Sequence, residues 1–303
     1  MEVNNMSSLA SGSLFPKELV TDLFSKVSGH SSVAKLAGQT PMPFSGIDVM
    51  TFSLDTDVAI VAEGATKPAG DATVATVSIR PIKVVYQSRV NDEFMRCAEE
   101  KKLQYLQAFV DGYAKKIARG LDIMVFHGLD PKTSTTSSVI GANCLDRASS
   151  VALEAYSSAA VEGDVTAAIA ALGDGYVCNG IAMSPAFATA LSQVSLSGGQ
   201  RPYEEFMWGG NPGAIRGINC DVNPTVAVTA STATLLPYAY LGDWSAFRWG
   251  YAANMPLEVI EYGNPDGGSY DLKQANQVLL RTEAYIGWGI LDPKAFARIA
   301  TTA

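Results

Sequence analysis

Residues 48–90 contain two alternating stretches joined by a turn, and this unit restricts what the rest of the chain can be. In DVMTFSLD the apolar Met50, Phe52 and Leu54 alternate with Thr51, Ser53 and Asp55, and in TVATVSIR Val77 and Ile79 oppose Thr76, Ser78 and Arg80. A period of two is the mark of a strand whose faces meet different surroundings. Between them AEGATKPAGD, dense in Gly and Pro, reads as a turn. The pattern predicts a hairpin with arms of about 15 residues, or about 50 Å at 3.3 Å per residue. Strands typically run about 5–6 residues, and an isolated two-stranded hairpin is marginal in water. Such a hairpin must lie against something. If its own chain is too small to cover it, a partner subunit does.

A long helix follows. Leu103, Leu106, Phe109, Tyr113, Ile117, Leu121 and Met124 recur every three or four residues, while Lys101, Lys102, Gln107, Asp111, Lys115, Arg119 and Asp122 fall largely on the other face. Asn91 or Asp92 is the expected cap and Gly128 the stop. From Leu103 to His127 the helix spans about 37 Å, a spine long enough to cross a flat subunit. Upstream, the segment to Leu14 is polar and aperiodic and reads as a flexible arm. Pro16 then opens a helical run through Leu19, Val20, Leu23, Phe24 and Val27, closed by Gly29. That helix packs on its own domain or on a neighbouring subunit; the pattern alone does not choose.

Beyond the Ser/Thr-rich linker 133–138 the composition shifts to Ala, Gly and Ser. Asp164 precedes the helical run TAAIAAL, IAM is a short strand, and Ser184-Pro185 is the cap and first turn of the helix AFATALSQV. After a Gly- and aromatic-rich loop at 195–213, the strand patterns INCDVNP, YAYLGDW and FRWGY complete an α/β domain over roughly 141–245. Two further strand patterns, MPLEVIEYG and NQVLLRTEAYIGWGIL, flank the turn NPDGGSY near the C-terminus.

The hydrophobic fraction of 48% supplies a core for about two domains in 303 residues, and the 17% of charged residues excludes a disordered chain. A net charge of −8 argues against a nucleic-acid reader, which needs a basic stripe. Cys97, Cys144, Cys178 and Cys220 stand far apart, so reduced thiols are expected and neither a disulfide framework nor a zinc site. The first fifteen residues lack a signal-peptide pattern, and the uncharged stretches 175–200 and 222–242 are too interrupted by Ser, Thr, Gly, Asn and Pro to span a membrane. The expectation is a soluble protein made inside a cell.

Chemistry-bearing patterns are scarce. His30 and His127 are the only histidines, so a histidine triad or multi-His metal site lacks material. His127 reads as a structural group closing the spine helix. Gly173-Asp174-Gly175 lacks the spacing of a dinucleotide loop and reads as a helix-ending turn. The doublets Glu99-Glu100 and Glu204-Glu205 are adjacent on their elements and do not face each other. Ser184 has no base near it in sequence, and the cysteines read as small buried hydrophobes. Tyr203, Phe206 and Trp208 read as an exposed aromatic cluster that stacks a ligand or meets a neighbouring subunit. No catalytic, cofactor-binding or metal-binding residue can be named, so the expectation is a protein without enzymatic activity or cofactor.

The order of arm helix, long hairpin, spine helix, α/β domain and closing strands resembles the major capsid protein of tailed bacteriophages, the Hong Kong 97-type α+β fold. The segments that carry the likeness are VAEGATKP, VVYQSRVNDEFM, GLDIMVFHG, IAMSPAFATAL, GDWSAFRWGY and QVLLRTEAYIGWGILDPKAFARI. The resemblance implies an N-arm over 1–45, an extended loop over 46–90, a peripheral domain from 91–140 with 246–303, and an axial domain over 141–245. It implies pentamers and hexamers in an icosahedral shell around double-stranded DNA, assembled in the host cytoplasm and held in the virion. Partners would be further copies of the chain, scaffold, portal and decoration proteins, and DNA bound without sequence specificity. Some family members carry a cleaved N-terminal scaffolding extension; here the arm starts almost at Met1, which implies a processed form or a separate scaffold. Others cross-link a loop lysine to an asparagine with a glutamate as base. Asn276 and Glu283 match the latter two, but Gly64 holds the lysine position and Lys67 lies three residues on, so no cross-link is expected. Glu63 and Lys67 at the loop tip, with Tyr203, Phe206 and Trp208, are the candidate inter-subunit contacts. A nanocompartment shell of the same fold holding a cargo protein is the nearest alternative, and a soluble α/β enzyme using the 195–213 loop is the third.

Overall fold

The computed structural model describes residues 30–54, 56–93, 99–196, 198–231, 233–254, 258–268 and 270–302. The amphipathic run 16–27 and Cys97 lie outside them. The first described helix, α1 (Ser32–Leu36), is a single turn capped by the Ser31 hydroxyl, which accepts from the Ala34 amide.

Strands β1 (Ile47–Leu54) and β2 (Ala72–Ile79) form the hairpin, antiparallel and in register from Ile47 opposite Ile79 to Leu54 opposite Ala72. The paired arms are eight residues each, about 26 Å, and not the fifteen expected from the alternation. The difference lies at both ends. The tip leaves the ladder early because Gly64, Pro68 and Gly70 interrupt it. Strand β3 (Ile82–Asn91), expected as part of the extended loop, leaves the hairpin for another sheet.

That other sheet is built on β11 (Gln277–Ile290), fourteen residues long. One edge of β11 pairs with β3, and the other with β9 (Phe247–Asn254) and β10 (Glu258–Ile260), all antiparallel. Helix α2 (Glu99–His127) is the spine and lies against this sheet, with Tyr86 of β3 beside Phe109 and Tyr113. Tyr113, Ile117, Leu121 and Met124 are buried, as their spacing predicts. Asn91 is not its cap: it ends β3, opposite Gln277. Gly128 closes the helix with φ +63°, its amide donating to the Met124 carbonyl. A side chain at Gly128 would be strained by that conformation and would meet Arg147 and Cys144.

The second sheet has six strands in the order β4-β12-β8-β5-β7-β6. These are β4 (Ala152–Ala155), β5 (Gly180–Met183), β6 (Ala214–Ile215), β7 (Ile218–Val222), β8 (Leu235–Gly242) and β12 (Phe296–Thr302). Helices α3 (Val161–Ala170) and α4 (Pro185–Ser192) pack against it. The last strand therefore belongs with the α/β domain, although sequence order assigns it to the closing strands. Ser184 caps α4, accepting from the Phe187 amide at 3.2 Å, so its hydroxyl is used structurally. Asp164 does not precede its helix but sits in the first turn, where its carboxylate accepts from the Ser157 amide at 2.7 Å.

The two sheets meet where the spine ends. The Phe126 ring stacks on Tyr240 at 4.7 Å between centroids. The Tyr240 hydroxyl donates to Asp146 at 2.6 Å, and His127 lies 2.8 Å from the same carboxylate and 3.0 Å from the Thr225 carbonyl. His127 thus holds the junction, as the structural reading of it requires. Burial, then Asp146, pushes the Tyr240 hydroxyl well above its ordinary range. Cys144, Cys178 and Cys220 are buried free thiols.

Candidate assembly surfaces

Three surfaces decide what this subunit can do with a neighbour: the hairpin, the 195–213 loop and the anchor of the N-terminal segment. Among the described residues, the hairpin meets the rest of its chain near its base. Ile79 is buried against β11, and it fits because Gly287 and Gly289 present no side chains there. A Cβ on Gly289 would stand 2.6 Å from Ile79 Cγ1. Beyond this seat the apolar side chains lose cover: Met50 is 72% exposed and Phe52 64%. At the tip Val58 and Ile60 are fully exposed. Glu63 and Lys67 lie there in solvent and pair with no other described residue, and Gly64 turns the chain at φ +79°.

The 195–213 loop does not present an aromatic cluster. Tyr203, 6% exposed, and Phe206, 1% exposed, belong to the core of the six-stranded sheet. The Tyr203 hydroxyl donates to Glu162 at 2.6 Å, and the Arg216 guanidinium lies 5.2 Å from its ring centroid. Burial, then Glu162, pushes this hydroxyl up to about 12. Sequence spacing did not separate these two from Trp208, because the turn that divides them has no period. Trp208 alone turns outward, 99% exposed and at φ +56°. A bulky residue in the left-handed region carries backbone strain.

The remaining matched positions are far apart. Asn276 sits at φ +50° just before β11, and Glu283 lies seven residues on, about 23 Å along the strand. Glu283 accepts an ion pair from Lys83 at 2.7 Å, and that contact raises the ammonium's pKa.

A site absent from the sequence reading holds α1. Asp122, fully buried on the spine, accepts from the Ser31 hydroxyl (2.5 Å), the Ser32 and Val33 amides (both 3.1 Å), Thr225 (2.8 Å) and Asn223 (3.2 Å). Asp221 at the end of β7 accepts from Ser32 (2.6 Å), Lys35 (2.8 Å) and Asn211 (3.0 Å). Asp122, third in GLDIMVFHG, reads in sequence as part of a polar helix face. Only the fold shows that α1 covers it.

Among the described residues no group of three or more His, Cys, Asp or Glu could hold a metal ion. No described helix is long and apolar enough to cross a membrane.

The fold has solved relatives. A chain of Mycobacterium phage Ogopogo is 27% identical with a TM-score of 0.75, the match covering 99% of this chain and 100% of that one. A chain of Gordonia phage Cozz is 22% identical, covering 90% of this chain and 87% of that one, with a TM-score of 0.67. The capsid of an empty GTA particle is 13% identical, covers 90% of each chain and gives a TM-score of 0.63; these two show the fold. No curated protein sequence matches. The family model described as the phage capsid family matches residues 11–300. A subunit with an uncovered hairpin and a two-sheet body, matched over residues 11–300 by the phage capsid family model, is a major capsid shell protein, and the chain belongs to the phage capsid family.

Proposed function

We propose that this protein assembles through pentamers and hexamers into an icosahedral shell around double-stranded DNA, inside the host cytoplasm, and that its hairpin is the main bridge between subunits. The observation that carries this reading is the hairpin itself, whose Met50, Phe52, Val58 and Ile60 are exposed on the single chain. Several large apolar side chains left exposed on one element mark an interaction site. Contacts repeated head to tail close into rings, and many weak ones acting together hold a shell. Trp208 is the second contact, since an exposed strained tryptophan suits the enriched aromatic centre of an interface. Glu63 and Lys67 add ion pairs between subunits, each worth about 0.2–1 kcal/mol. Tyr203 and Phe206 support the loop from beneath. Scaffold, portal and decoration proteins complete the particle.

The shell is not covalently cross-linked, because Gly64 offers no nucleophile. A boiled denaturing gel of assembled shells is expected to show monomer only, and covalent ladders would overturn that. The assembly reading is tested by negative-stain electron microscopy of the protein after size exclusion, with and without a co-expressed scaffold protein. Closed shells or rings of five or six are the expected result; a uniform small oligomer under both conditions would end the reading. Nuclease-protected DNA inside particles separates a genome container from a shell around a cargo protein.

A further inference from the structure

The chain is acidic overall, with 22 basic against 30 acidic residues, yet one face of the spine helix is basic. Lys115, Lys116 and Arg119 are exposed, and spacings of three and four residues put them on neighbouring positions of α2. Lys115 and Arg119 are one turn apart, about 6 Å along the axis. The chain returns beside them: Pro131 packs over Gly120, which brings exposed Lys132 to the same end of the helix. None of the four forms an ion pair with another described residue, although Arg80, Lys83, Arg89, Arg281 and Arg298 elsewhere all do. Acidic groups nearby are few. Asp111 lies one turn before Lys115, the Asp130 carboxylate is turned onto the Lys132 amide, and Asp122 is buried beneath α1.

We propose that this strip is where the shell wall touches the phosphates of duplex DNA. The inference rests on the reading of the protein as a DNA container. A solvated row of cations without an ion-pair partner among the described residues, kept on a protein whose total charge repels polyanions, fits phosphate contact without base readout. Because only four cations are involved, each subunit makes a few contacts that release as salt rises. The acidic remainder of the chain keeps the polymer from being gripped elsewhere. A second copy of this chain is a poorer occupant, since no apolar side chain large enough to anchor a protein contact is exposed among described residues 108–120.

The experiment measures binding of a fluorescein-labelled 30-base-pair duplex of arbitrary sequence to the purified protein from 50 to 200 mM salt. For two to four phosphate contacts, wild-type affinity is expected to fall about 10- to 150-fold over that range. The variant Lys115→Gln/Lys116→Gln/Arg119→Gln/Lys132→Gln is expected to lose most of that slope and at least tenfold in affinity at 50 mM. The control Lys273→Gln/Lys294→Gln, on other surfaces, is expected to bind as wild type. Equal losses in both variants, or binding by wild type without salt dependence, would overturn the assignment. So would binding that appears only after residues 1–29 are removed, which would give the strip to the chain's own arm. Lysine acetylation offers a second reading that needs no variant: Lys115, Lys116 and Lys132 should be protected in DNA-filled particles and open in empty ones. Equal labelling in both would also count against it. Electron microscopy of the same samples keeps the two questions apart, because shells that form normally but show no strip dependence sink this inference alone.

Discussion

Helix α1 and the β1–β2 hairpin are both held by small contact areas, and they differ in everything else. Helix α1 has five residues, yet two carboxylates draw in its amides and hydroxyls, and Val33 is fully buried beneath it. The hairpin has two eight-residue arms but is seated mainly by Ile79 in the glycine gap of β11. The first is completed by its own chain, through buried charge-assisted hydrogen bonds that fix one geometry. The second is a hydrogen-bonded ribbon whose apolar side chains stay bare. A segment finished within the chain and a segment left for a neighbour can thus be told apart by where their polar and apolar groups end up.

The largest effect should come from breaking the finished segment. Asp122→Ala leaves buried amides and hydroxyls without an acceptor, and a loss of about 3–5 kcal/mol is expected in chemical denaturation. A change below 1 kcal/mol would mean that α1 is not anchored there. The same group makes stability depend on pH. Burial pushes the Asp122 carboxyl up to about 6 against the hydrogen bonds that lower it. Between about pH 4 and 6 the native state keeps a proton that the unfolded chain has released. Its contribution is therefore present below pH 4 and fades as pH rises through 6, by up to about 1.4 kcal/mol per unit. Wild type should lose stability relative to Asp122→Asn between pH 4.5 and 7, whereas parallel curves would contradict the shift.

The hairpin seat comes next. Gly289→Val places a side chain against Ile79 and should cost about 1–3 kcal/mol while tilting the hairpin, read as a lower denaturation midpoint and failed shell closure. Unchanged closure would show that the hairpin finds its seat on the neighbour and not on β11. Lys83→Gln removes a solvent-screened ion pair and should leave the denaturation midpoint almost unchanged; a clear shift would contradict this. Smallest of all on folding are Val58→Ser/Ile60→Ser and Trp208→Ala, expected within about 0.5 kcal/mol of wild type because these side chains are already in water. Both should still impair shell formation by electron microscopy. Normal shells from either would remove that surface from the set of contacts.

Much of this was legible in one dimension. The two-residue period of β1 and β2, the three- and four-residue period of the spine, the Gly128 stop and the Ser184-Pro185 start depend on neighbours in sequence, and local patterns record them. Partner strands are harder to read. β3 looks continuous with the hairpin, yet Pro81 separates it from β2 and its ladder runs with β11, nearly two hundred residues away. β12 follows β11 in sequence but crosses to the six-stranded sheet, where it pairs between β8 and β4 and Ala297 and Ile299 join the buried core. Aromatic content likewise did not tell buried from bare: Tyr203, Phe206 and Trp208 read alike until the loop turned.

The sequence by itself determined most element types, the apolar faces of the spine and strands, and the presence of the hairpin. Those follow from side-chain periodicity and from how few chemistry-bearing residues there are. Tertiary structure alone decided that Asp122 and Asp221 gather α1, that Glu283 is occupied by Lys83, and that Trp208 stands alone in solvent. Each joins or separates residues by distance in space, and hydrogen bonds and burial act across that distance, whatever the separation along the chain.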